Sequence, residues 1–207
     1  MIRRTELDAA ERFRSDTSRH QMTVLHNDGL YRHLRFMAPK SSAYWFDLVT
    51  WPGSLAIRGD VDGYMFTRLP DMFEFFRGDG TNPHYWSEKT EGGRSSCTSY
   101  SESLFRQLVV EHFVESVRDG DAPRGLGKAV REGILDSGQI HYEDGARAKL
   151  DAFEYKGYVF PDTWDWDFHD YNWSFLWSCH AIVWGIGQYD VGQADAAVTA
   201  APAGGAR

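Results

Sequence analysis

Between Asp162 and Asp190 the chain reads DTWDWDFHDYNWSFLWSCHAIVWGIGQYD, and Trp164, Trp166, Trp173, Trp177 and Trp184, five of its eight tryptophans, fall there. A helix beginning near Asp167 brings Trp173, Trp177 and Trp184 to one side, while Phe175, Leu176, Ile182, Val183 and Ile186 cover much of the rest. Few positions are left that prefer water, so the helix is expected inside a core. Its apolar run, Trp173 to Ile186, is interrupted by Ser174, Ser178, His180 and Gly185 and is shorter than the ~20 residues of a bilayer span. No membrane association is expected.

The rest of the chain has to supply the walls of that core. A length of 207 residues fits one domain, and 42% hydrophobic with 15% aromatic residues excludes disorder on the scale of the whole chain. The formal charge of −8 argues against a broad nucleic-acid surface, which needs clustered Lys and Arg. Cys97 and Cys179 form no CxxC or Cys/His ladder, so no zinc module is read from them. The first residues, MIRRTELDAAERFRSD, are basic without an apolar run behind them and do not form a signal peptide. A reducing, cytoplasmic setting is expected.

In chain order, Thr5 to Arg14 has the spacing of a short amphipathic helix. QMTVLHNDGLYRHLRFM then places Asn27-Asp28-Gly29 between two runs of β-type residues, the signature of a hairpin. Three more strand-length runs, broken by Pro52-Gly53 and Asp62-Gly63, extend it into an antiparallel meander of about five strands over 21–69. Pro70 opens a short helix, 78–99 reads as a long polar loop, and helices are expected within 102–119, 123–135 and 142–155. A short edge strand is expected in GYVFPDTW. The fold class is α+β, with helices on one face of the sheet. One domain is expected over 1–190, followed by a disordered Ala/Gly-rich tail over 191–207.

Strand alternation divides the sheet residues. Leu34, Phe36, Phe46, Leu48, Leu55 and Ile57 share the face turned to the helices, and Tyr31, His33, Arg35, Trp45, Asp47, Arg58 and Asp60 share the other. His33, Arg35, Trp45, Asp47, Arg58 and Asp60 form a candidate ligand site, because guanidinium forks and an indole suit a planar or anionic group. The same residues also read as ordinary cross-strand pairs on a wet face. A second candidate is an acidic, aromatic lip at Trp164, Asp165 and Trp166, joined by His84, Tyr85 and Trp86 of the long loop, since interface hot spots favour such rings. Its plainer reading is carboxylates complementing a helix dipole.

Catalytic signatures are lacking. GxSxG, HExxH, P-loop and GxGxxG patterns are missing, and Asp60-x-Asp62-Gly63 matches a calcium loop only in its opening. Cys179 and His180 are neighbours that point about 100° apart on a helix, which does not make a nucleophile and base. Neither a cofactor nor a metal is expected, and whether the chain is an enzyme stays open.

WPGSLAIRGDVDGYMFTRLPDMFEFFR (51–77) and DYNWSFLWSCHAIVWGIGQYD (170–190) resemble segments of small proteins encoded by bacteriophages, prophages and actinobacterial genomes. The resemblance covers about a quarter of the chain. It transfers no residue role and implies an accessory or host-interaction function. Two functions follow. One is a phage-type protein that binds a host or defence macromolecule, as an inhibitor, through the lip and loop. The other is an anionic-ligand or hydrolytic domain, with Arg35 and Arg58 gripping the ligand and His33 or Asp47 as acid or base.

Overall fold

The structure is a computed structural model that describes residues 4–78 and 80–200, with side chains considered for 5–78 and 80–195. The chain divides into two compact units. One runs to Cys97 and resumes at Tyr171; the other is Thr98–Asp170.

The first unit is an α+β layer. Helix α1 (Arg4–Asp16) precedes strands β1 (Gln21–Asp28), β2 (Tyr31–Met37), β3 (Phe46–Trp51), β4 (Ser54–Gly59) and β5 (Gly63–Thr67). The strands lie in sequence order, all antiparallel, as their short turns require. Leu34, Phe36, Phe46, Leu48, Leu55 and Ile57 are all buried, so the expected register holds. They pack beneath helix α7 (Trp173–Ala200), in the cluster that holds Phe175, Leu176, Trp177, Ile182 and Ile186. Gly185 makes this approach feasible, because a Cβ there would lie 2.8 Å from Leu48 Cδ1 and 3.1 Å from the Phe36 ring. Trp177 is buried edge-on to Phe46 and Phe13, with ring centroids 5.7 and 5.2 Å away, and its indole N–H donates to Asp16 on α1.

Several boundaries differ from expectation. Helix α7 starts at Trp173, not near Asp167, because Asp167 turns back to accept from the His169 amide and His169–Tyr171 forms strand β7. The helix then continues to Ala200, so 191–200, expected to be disordered, is helical; 201–207 lie outside the described residues. The expected loop 78–99 contains helix α3 (Pro83–Ser87), capped by Asn82, after helix α2 (Met72–Phe76). Its Lys89 and Glu91 exchange backbone bonds with Thr67 and Met65, which closes the outer edge of β5.

The second unit gathers Phe105, Val109, Leu126, Val130, Ile134, Ile140, Ala146, Leu150, Phe153, Phe160, Trp166 and Phe168 into its own core. Most of these come from helix α4 (Glu102–Asp119), capped by Ser101, helix α5 (Leu126–Val130) with a π-helical turn over Arg131–Leu135, and helix α6 (Glu143–Asp151), while Ile140 comes from a 3-10 turn (Gly138–His141) and Phe153, Phe160, Trp166 and Phe168 from the chain that follows α6. Leu126, Val130 and Ile134 are all buried, as their spacing of four predicts. The edge strand expected in GYVFPDTW does not form. Tyr155 and Tyr158 close a tight turn there by reciprocal backbone bonds, and β7 instead pairs with β6 (Thr98–Tyr100).

Candidate functional site on the open sheet face

Three central strands bring the site together. Asp47 on β3 stands directly opposite Arg35 on β2 and Arg58 on β4, so one carboxylate lies between two guanidinium groups. Arg35 donates through Nε and Nη2 to the two Asp47 oxygens at 2.8 and 2.9 Å. Arg58 donates through the same two nitrogens to Oδ2 alone, at 3.3 and 3.2 Å, a looser bond. His33 Nε2 comes within 3.1 Å of Oδ2 but off the line that an N–H donor needs.

The indole of Trp45 lies against both cations, its ring centroid 5.0 Å from the Arg35 guanidinium carbon and 5.6 Å from that of Arg58. A recess of about 210 Å3 beside it is lined by Arg35, Met37, Ser42 and Trp45. Trp45 is held by its loop. Asp60 donates its amide to the Trp45 carbonyl, and its carboxylate accepts from the Tyr44 amide at 2.8 Å. Gly59 allows this closure, since a Cβ there would fall 2.1 Å from the same carbonyl. Asp60, expected among the ligand groups, is therefore a loop clamp.

Electrostatics follow from the geometry. Asp47 has a side chain with 0% exposure. Burial pushes its carboxyl up, but the contacts from Arg35, His33 and Arg58 outweigh that and hold it below the usual carboxylate range. The same bond raises the pKa of Arg35. Arg35 and Arg58 set two cations against the one anion of Asp47, which leaves this cluster locally positive on a chain of net charge −8. The Nη1 groups of Arg35 and Arg58 meet no protein acceptor among the described residues, and Arg58 is 62% exposed. The arrangement can accept an anion while Asp47 keeps the donors aligned.

The expected aromatic lip is only partly a surface. Trp164 is 79% exposed and Asp165 is exposed, on a turn tied to α6 by the Thr163–Asp151 bond. Trp166 is buried, stacked on His112 at 3.9 Å and edge-on to Phe160, so it is a core residue and not a partner contact. Trp86 is likewise buried, against Phe76, whereas His84 and Tyr85 of the same helix are exposed. The helical period of α3 turns Trp86 inward as it turns its two neighbours out.

Sequence reasoning missed two polar clusters. Arg32 and Asp71, 39 residues apart, make a two-bond fork of 2.8 and 3.0 Å. Glu143 holds Arg147 at 2.9 Å and His169 at 3.2 Å, and His169 also meets Asp167. Only Glu143 and Arg147, four apart on a helix, carried a readable signal. Burial raises the Cys179 thiol well above its ordinary value and lowers His180, which makes neither a ready nucleophile nor a ready base.

Among the described residues, no group of three or more His, Cys, Asp or Glu side chains is placed to hold a metal ion, and no helix is long and apolar enough to cross a membrane. Comparison with protein-family models, with curated proteins and with solved structures finds no match to the chain.

Proposed function

We propose that the chain is a binding protein that holds an anionic group on the open face of its sheet, between Arg35, Arg58 and Trp45. The observation that carries this reading is the donor surplus. One buried carboxylate aligns two guanidinium groups, and each has an Nη1 that meets no acceptor among the described residues. The adjoining indole suits a planar group attached to the anion. Asp47 acts as an anchor; its lowered pKa keeps it ionised and makes it a weak base.

The test is thermal unfolding with inorganic pyrophosphate against potassium chloride of matched ionic strength. Wild type is expected to gain at least about 2 °C with the ligand, by mass action. Arg58→Ala keeps the Arg35–Asp47 fork, so it folds but shows no gain. An equal gain in both proteins, or none in wild type, overturns the proposal.

A second reading is favoured by Trp164. A ring this exposed, on a tied turn beside Asp162 and Asp165, suits docking to a basic macromolecular surface with an apolar pocket. The resemblance to phage-encoded proteins points to a host partner for that surface. Capture of a stoichiometric protein from host lysate that survives nuclease and is lost in Trp164→Ala supports this reading, and capture unchanged by Trp164→Ala removes it.

A further inference from the structure

Helix α4 carries a second apolar line that its own unit leaves uncovered. Phe105 and Val109 are buried in the core, as the spacing of the helix predicts. Val114 and Val117, further along the helix, are 44% and 53% exposed, and Val110 is 44% exposed. These three valines stand at i, i+4 and i+7 and so form one line along the helix. Ser103 and Gln107 continue the line toward the N-terminus, and both are exposed. Valine is a weaker helix former than the straight-chain residues usual at water-facing positions, so local helix stability gives no reason for three of them.

The charges beside this line are self-complementary. Glu111 and Arg118 are exposed on the same flank, one near each end of the valines. Gln107 donates to Glu111 Oε1 at 2.8 Å, which orients the carboxylate along the helix and leaves its other oxygen available.

We infer that α4 pairs with α4 of a second copy, antiparallel, about a two-fold axis near Val114. Val114 then meets Val114, and Val110 and Val117 fill the turns on either side. Glu111 of each copy faces Arg118 of the other, and the two-fold repeats the ion pair. A parallel pairing puts the Glu111–Arg118 flanks of the two copies on opposite sides of the seam, so the two ion pairs form only in the antiparallel arrangement. The surface is separate from the Asp47 site and does not depend on it. Contact along one helix face is short of the ~1,200 Å2 of a standard interface, so the association is weak and concentration-dependent.

Sedimentation velocity of the full chain over roughly 5 to 500 μM tests this. The wild-type weight-average coefficient is expected to rise with concentration toward that of a dimer. Val114→Glu, a change at an exposed position that leaves the fold intact by circular dichroism, is expected to stay monomeric throughout. Glu111→Arg weakens association at least about fivefold, and the double exchange E111R/R118E restores it to within about twofold of wild type. A wild type that stays monomeric overturns the inference. So does a dimer indifferent to Val114→Glu, or a double exchange no better than the single one.

Discussion

Arg32 and Arg35 stand three residues apart on β2, on opposite faces of the sheet, and each grips a carboxylate in a two-bond fork. The first pair is closed. Arg32 is 10% exposed, lies 4.5 Å over the Phe73 ring, and spends its fork on Asp71, which also caps α2 by accepting from the Phe73 amide. Burial lowers the pKa of Arg32 and the Asp71 bond more than restores it, so the pair is stable only as a pair. The second pair is open. Arg35 is 34% exposed, its carboxylate is shared with a second guanidinium, and an indole lies against both cations. The same chemistry is structural where one guanidinium and one carboxylate are enclosed together, even with Arg32 Nε left without a partner, and open to a ligand where a second guanidinium shares the carboxylate at a solvent face.

That contrast can be broken from either side. The largest effect is expected at the closed pair. Asp71→Ala strands a buried guanidinium and removes a helix cap, and it should cost about 4 kcal/mol in urea unfolding. Asp47→Ala is expected to cost less, about 1–3 kcal/mol, because Arg35 and Arg58 can turn to water, and it should also abolish the pyrophosphate response. Acid provides a graded comparison. Asp47 and Asp71 both have folded pKa values below their ordinary ones, so their stabilisation is full above about pH 4 and is lost as pH falls through the lowered values. Asp71→Asn and Asp47→Asn should each flatten the fall in stability measured from pH 5 to 2. The smallest effect on stability is at Arg58, where Ala is expected to cost less than about 1 kcal/mol while removing pyrophosphate binding.

Much of the sheet was legible because a strand period of two leaves little freedom once one face is buried. The alternation that sends Leu34, Phe36, Leu48 and Ile57 inward is the same one that assembles Arg35, Asp47 and Arg58, so core and site are read together. What escaped depends on contacts distant in the chain. Nothing near Arg32 in sequence announces Asp71, and nothing near Trp166 announces the His112 ring that covers it. The stripe on α4 shows the limit of periodicity, which finds apolar faces but not what lies against them: Val109 is enclosed and Val114 faces water. The division into two units was hidden for a similar reason, because Phe105, Leu126, Leu150 and Phe168 have the same apolar spacing whether they complete the core under α7 or build one of their own.

The most direct test is a 1H–15N titration of the arginine Nε–H and tryptophan Nε1–H signals with inorganic pyrophosphate at constant ionic strength. The signals of Arg35, Arg58 and Trp45 are expected to shift together along one saturating curve while Arg32 stays in place. Uniform shifts across all the arginines, or none at Arg35 and Arg58, would contradict the assignment of the Asp47 face as the binding site.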